Sequence, residues 1–574
     1  MNFPKKSLVA SLMIAAMLAT QTLVSFADTP KTAKKQRLND EQRIIHVLNR
    51  LGFGVRPGDV ERVKSIGLEQ YINQQLNPQK IADTVADNKV KDLTVLDMST
   101  AELYAKYPQP GQLLRQLQQR GMLGGDVPQD PQNNPLNPQN EKNRKIIEEY
   151  YQQNGLQRPQ RIIAELQASR ILRAVYSERQ LQEVMVDFWT NHFNVFAGKG
   201  ADRWLLPSYD RDTIRPNALG KFSDLLLATA QSPAMLFYLD NFQSVSPDAN
   251  RGGGMRRLAN GQQQPQRQRR GINENYAREL MELHTLGVDG GYTQKDVQEV
   301  ARCFTGWTIF QPRGGAAAVN AMMGSEAGRR NAGTFFFNAR VHDDGEKTVL
   351  GHKIPAGGGF KDGLTTIDIL AHHPATAKFI ATKLVRHFVS DTPPPALVDR
   401  VAAAFTKSDG DIRETLKAIF FSNEFNSPEA YRAKIKRPFE LVVSAIRTLG
   451  ADTNGGPGTH QWIARMGEPL YGFQTPNGYS DAAESWVNTG GLLERMNFGL
   501  ALAGNRVQGT RVDLARLNAP EKSKLIDESL KMIVAGEISA ATKETLMKQI
   551  DETNADTAAK VVGLILGTPE FQRQ

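Results

Sequence analysis

The chain has 574 residues, one cysteine and a formal charge of +9 at neutral pH. A single cysteine excludes an internal disulfide, so the fold must rest on packed apolar core, in one or two large domains. The positive balance does not point to nucleic acid: Arg251, Arg256, Arg257, Arg267, Arg269 and Arg270 crowd one stretch without an acidic residue, and the remainder is nearly neutral.

The first residues predict export. Lys5 and Lys6 precede an apolar run over 8–24, and Ser25-Phe26-Ala27 supplies small residues at the two positions a signal peptidase reads. Cleavage is expected between Ala27 and Asp28, which removes both lysines and lowers the charge from +9 to +7. The run is interrupted by Ser11, Thr20, Gln21 and Thr22, and no later segment reaches the roughly 18 apolar residues of a membrane span. The expectation is a periplasmic or secreted chain with no transmembrane anchor.

Helical signals follow. Asp40-Glu41 leads into a helix ending near Gly52, and Arg56-Pro57-Gly58-Asp59 opens another. The segments 183–193, 273–287, 293–304, 374–388, 411–421 and 438–449 all place apolar residues at helical spacing. Thr293 with Asp296, and Asp411 with Glu414, read as capped starts; Pro374 and Pro438 fit first turns, and Gly287 and Gly450 fit stops. Three stretches break the pattern: 108–140, rich in Gln, Pro and Asn; 245–272, rich in Gly, Gln and Arg; and 313–333, rich in Gly and Ala. Each is expected to be a mobile loop. Phe335–Phe337, and Thr348 to Leu350 with Lys353-Ile354, read as short strands around His342-Asp343-Asp344-Gly345. The fold expected is mainly α: a large irregular multi-helix bundle with a small β-hairpin region near 334–355. Its divisions are a signal peptide (1–27), an N-terminal helical part (28–107), the 108–140 insertion, a main helical body (141–505) and C-terminal helical hairpins (506–574). The run 419–425 is echoed at 565–571, one helical-hairpin design used twice.

Familiar catalytic signatures are missing. The sequence has no His-Glu-x-x-His, no Cys-x-x-Cys-His, no Gly-x-Ser-x-Gly elbow and no phosphate-binding loop, and Asp343-Asp344-Gly345 lacks the later ligands of an EF-hand. What remains is histidine placement. At 100° per residue, Leu181, Met185, Phe188 and His192 share an apolar stripe opposite Glu183, Asp187 and Asn191. On the next such helix, His284 lies with Tyr276, Ala277, Leu280 and Leu283, opposite Asn275, Arg278, Glu279 and Glu282. Two helices therefore each turn an imidazole inward.

An unsatisfied buried polar group costs roughly 1–3 kcal/mol, so each ring must find a partner. Two readings stand. In one, each is a core histidine bonded to a backbone carbonyl. In the other, His192 and His284 converge with His342 on a divalent metal, and Asp343 or Glu279 orients the attacking water as the catalytic group. The polar stripes are either a rival site or an ion-pair network locking two helices, with Arg278 and Glu282 as one pair. Cys303 reads as a buried small residue, His373 as a helix start, and His387 as the rim of an apolar face. Thr475 to Tyr479, with Ser485-Trp486, form a turn-rich aromatic loop that packs on the body or lines a groove.

Several motifs recur in a recognisable order: His46 to Gly54, Phe188-Trp189-Thr190-Asn191-His192-Phe193, Asn273 to Gly287, His342-Asp343, His373-Pro374-Ala375-Thr376-Ala377 through His387, Lys436-Arg437-Pro438 and Gly472 to Asn477. In these the chain resembles a large exported bacterial family catalogued as "domain of unknown function 1800", from about Arg43 to about Ala503. The resemblance implies export and a helical fold, and carries over no catalytic residue. It also implies a partner, an exported sulfatase-like protein encoded nearby, and a shared envelope or polysaccharide task. Two functions are consistent with this. One is an exported enzyme of the metal-assisted hydrolase type acting on an anionic polymer such as a polysaccharide. The other is a non-catalytic envelope binding or assembly protein.

Overall fold

The computed structural model describes residues 37–123, 141–250, 271–310, 332–517, 519, 521–550 and 557–574. The expected signal peptide with Ala27 and Asp28, the arginine stretch 251–270 and most of 313–333 lie outside them. The described residues are mainly α-helical, with three two-stranded antiparallel sheets.

Helices begin and end where side chains satisfy their free backbone groups. The helices Pro374–Phe388 and Pro438–Leu449 open on the expected prolines, and Gly450 closes the second in a left-handed turn. Thr293 and Asp296 form the expected reciprocal cap of Gln294–Cys303, and Asp411 accepts from Arg413 N and Glu414 N ahead of Ile412–Phe420. The helix expected over 273–287 is shorter, Glu274–Glu282. There the Thr285 hydroxyl donates to Leu280 O and the chain leaves the helix through a wider turn, Leu286 N donating to Met281 O.

The 108–140 stretch is corrected in its first part. Despite its glutamines, Pro110–Gln119 is a helix, because Leu113, Leu114 and Leu117 fall on one face and pack with Leu123 and Ile147 of the helix Glu141–Gln153. The strand Phe335–Phe337 pairs with Trp307–Ile309, which the sequence reading missed, and Lys347–Val349 pairs with His352–Ile354 across Leu350-Gly351. The helical echo holds in detail. Ser422 Oγ accepts from Phe425 N, and Thr568 Oγ1 accepts from Phe571 N, each seating a buried phenylalanine.

One main core runs from Ile44 near the start to Phe571 near the end. No described helix is long and apolar enough to cross a membrane. The helix Gln180–His192 passes through this core and is covered on all but its last polar positions, so Glu183 and Asp187 are buried along with the apolar stripe. Buried carboxylates need cationic partners. Glu183 Oε1 meets Arg215 Nη1 at 2.6 Å, and Asp187 Oδ1 meets Arg170 Nη2 at 2.6 Å. The other oxygen of Asp187 takes Arg437, whose Nη1 reaches Glu468 Oε1 at 2.8 Å. The two polar stripes do not face each other: Arg278 bonds Gln294 and Glu282 bonds Tyr292.

Removing Asp187 takes the nearest carboxylate from buried Arg170, leaving it Asp210 at 3.9 Å, and takes one of two close carboxylates from buried Arg437. Asp187→Ala is expected to destabilise the fold by about 3–5 kcal/mol in urea unfolding. Asp212→Ala, which breaks a pair with an exposed carboxylate, is expected to cost under about 1 kcal/mol. Similar losses for the two variants would refute the ranking.

Candidate functional site

The C-terminal end of the helix Gln180–His192 holds a loop in place. Asn191 Nδ2 donates to Tyr479 O at 2.8 Å, and Asn191 Oδ1 accepts from Tyr479 N at 2.7 Å. Asn194 Nδ2 donates to Phe473 O and Thr475 O, and Ala197 N to Tyr471 O. The motif around His192 and the motif over Gly472 to Asn477 are thus two sides of one contact. Gly478, at φ 70°, sits so close that an added Cβ would lie 2.2 Å from Asn191 O. The aromatic loop packs largely on the body: Trp486 is buried with its indole N–H on Ser480 O, and Tyr479 donates to Pro469 O.

His192 and His284 do come together, with ring centroids 6.2 Å apart, and both are buried. His192 Nε2 lies 3.1 Å from His284 O, so it donates there and leaves Nδ1 as an acceptor. That Nδ1 and His284 Nε2 are both buried without a partner among the described residues. Burial, with the nearby Lys383 charge, holds the His192 ring neutral well below its ordinary range and lowers His284 to about 3.

Lys383 is the residue the sequence reading did not single out. It stands on the helix Pro374–Phe388, four residues after Phe379 and four before His387, a spacing that puts all three on one helical face. It lines a cleft of about 750 Å³ with His192, Arg386, Asp391, Asp481 and Glu484. Burial lowers the Lys383 ammonium, with Asp481 opposing and Arg386 adding to the shift. Burial alone would raise the Asp481 carboxyl, but His387, with Nδ1 at 3.6 Å, together with Arg437 and Lys383, holds it well below the usual carboxylate range. Asp481 is fixed through its carbonyl, which accepts from Lys434 Nζ at 2.7 Å. The cleft therefore offers a partly desolvated amine, an ionised carboxylate and a guanidinium beside the neutral His192 ring.

The remaining predicted residues lie elsewhere. His342 has Nδ1 2.8 Å from Thr305 O and Nε2 3.1 Å from Asp362 Oδ2, an oxygen that also takes Lys347 Nζ at 2.6 Å. Asp343 is clamped by Arg302 through two 3.0 Å bonds, which tie the hairpin to the helix Gln294–Cys303. Glu279 lines a separate cavity of about 420 Å³ with Lys199, Asn275 and Gln474, where burial and Glu282 raise its carboxyl. The expected trio of His192, His284 and His342 does not assemble, because the rings of His342 and its neighbours are engaged in their own ion-pair cluster. Among the described residues no group of three or more His, Cys, Asp or Glu side chains is placed to hold a metal ion. Cys303 is buried, and burial pushes its thiol up to about 12, as a core residue requires.

The family model described as "Protein of unknown function (DUF1800)" matches residues 46–573. The chain belongs to that family. The match extends past the Ala503 expected from the motifs, through the C-terminal helices that share the main core. No curated protein and no solved structure matches the chain.

Two outcomes follow from this geometry. Gly478→Ala is expected to destabilise the protein by on the order of 1–3 kcal/mol, through its positive φ and the clash with Asn191 O, with the loss read in urea melts. The buried histidines also set a pH dependence. An unfolded His284 takes up a proton as pH falls through 6.5, while the folded ring stays neutral down to about 3. Stability is therefore intact above pH 6.5 and falls toward pH 3 by about 1.4 kcal/mol per pH unit for each such ring. His284→Gln should remove one proton's worth of slope between pH 6 and 4; equal slopes would contradict it.

Proposed function

We propose that the protein is an exported enzyme of the hydrolase type acting on an anionic polymer, and that the Lys383 cleft holds the polymer. The observation that carries this reading is Lys383 itself: a half-buried amine of suppressed basicity that lines, with Arg386 and ionised Asp481, a cleft of about 750 Å³ beside the His192 and 472–477 motifs. An anionic group entering the cleft is attracted by Lys383 and Arg386. In its amine form Lys383 accepts a proton from water, which is the role that lowered basicity equips a lysine for. A divalent metal is not part of the proposal, since the third donor expected from His342 is committed to Asp362 and Thr305. In this reading the 1–27 segment exports the chain, the family resemblance supplies an exported sulfatase-like partner, and the polymer is one of the envelope or the cell exterior.

A second reading, a non-catalytic envelope binding protein, is favoured by one observation. The unpartnered nitrogens of His192 and His284 are covered, so neither ring reaches a ligand directly. One experiment separates the two. Polygalacturonate, a sulfated glycan and neutral dextran are tested for binding and for new chain ends. Tighter binding of an anionic polymer, at least tenfold weaker in Lys383→Met, is expected. Lys383→Arg should bind and release no product. Equal binding of dextran, or no effect of Lys383→Met, would sink the proposal; binding without product release by the unaltered protein would select the second reading.

A further inference from the structure

A different cavity, of about 280 Å³, opens where the helix Asp40–Arg50 and the turn at Pro57 meet the helices Pro438–Leu449 and Lys522–Val534 and the C-terminal residues. Its wall is built by backbone pairing of the chain end: Lys434 N bonds Gln574 O, Gln574 N bonds Lys434 O, and Lys436 N bonds Gln572 O. This ladder holds Lys436 at the cavity with only 3% of its surface exposed.

Lysines are almost never buried so fully without a carboxylate. Lys436 Nζ donates to Ser444 Oγ and Phe571 O, both at 2.9 Å, and sits 4.0 Å from the centre of the Phe571 ring. Among the described residues it has no ion-pair partner, and neither has Arg516, Lys531 or Arg573, which line the same cavity. Arg432 is shared with Glu537, and Arg56 with Asp59 and Glu178. Of the carboxylates present, Glu41 is tied to Lys64, and Glu570 turns Oε1 to Ser539 N and Thr542 Oγ1 and keeps Oε2 buried without a partner among the described residues; Glu61 remains. Six cationic side chains thus line a small cavity with three acidic ones.

We propose that this cavity binds a small oxyanion, a phosphate or sulfate group, held by Lys436 with Arg516, Lys531 and Arg573 around it. The volume of about 280 Å³ leaves room for a tetrahedral group with its water among these cations. Donors without acidic partners supply charge-assisted hydrogen bonds at no cost of breaking existing pairs. Burial lowers the Lys436 ammonium to about 7, Arg432 adding to the shift and Glu440 opposing it. A bound anion reverses that shift, so binding takes up a proton near neutral pH.

The test uses the whole protein with inorganic phosphate and inorganic sulfate, against sodium chloride at matched ionic strength. Calorimetry in buffers of different ionisation heat reads affinity and proton uptake. A saturable site with proton uptake near pH 7 is expected, with at least tenfold weaker binding in the double variant Arg516→Ala/Lys531→Ala, whose side chains are exposed. Lys436→Met should abolish the uptake; if it does not fold, the double variant decides. A response identical in the double variant, or reproduced by chloride, is a general salt effect and overturns the site. So does binding without proton uptake. Discrimination between phosphate and sulfate identifies which group the cavity takes. The result is independent of the Lys383 cleft, whose residues are untouched.

Discussion

Asp187 offers one carboxylate to two buried guanidiniums, Arg170 on one oxygen and Arg437 on the other. Arg437 passes the contact on to Glu468, whose second oxygen accepts from Phe439 N. The helix Gln180–His192, the helix Pro438–Leu449 and the segment leading from Glu468 into the 471–479 loop are therefore registered to one another by a few desolvated bonds. Such a network contributes little net stability over an apolar core of the same shape, yet breaking any member leaves a buried charge unpaired. Its effect is on position. Asn191, one turn beyond Asp187, then meets Tyr479, and His192 faces the cleft.

The cleft's electrostatics follow from the same burial. Imidazoles with no carboxylate beside them stay neutral when desolvated, and the Lys383 charge reinforces that neutrality. Lys383 in turn sits where water is partly excluded, and only Asp481 among its strong neighbours favours its charged form. Asp481 stays ionised because His387, Arg437 and Lys383 surround it. Lys383 helps to keep the carboxylate ionised, while burial lowers the basicity of the amine against the pull of Asp481.

Lys383 and Lys436 show how the same side chain diverges by surroundings. One lines a cleft with an ionised carboxylate; the other meets a hydroxyl, a carbonyl and an aromatic ring. The first suits proton transfer against a bound polymer, the second an incoming anion that completes its charge balance.

Periodicity and capping determined the helices. Pro374, Pro438, Thr293 and Asp411 act within a turn of themselves, so their effect is readable from neighbours in the chain. The inward turn of His192 and His284 was legible for the same reason, since a helix wheel fixes which face is apolar. The pairing of those two rings, by contrast, depends on how separate helices pack, and so does the diversion of His342 to Asp362, twenty residues on. The stripe that holds Asp187 reads as a site or as an ion-pair network, and a wheel does not show that Arg437, 250 residues away, covers it. Lys383 shared the face of His387, a signal available in the sequence, but its significance came from Asp481 and the loop that tertiary packing brought across it. Local order was set by the sequence alone; the chemistry of each site was set by which distant charges the fold buried together.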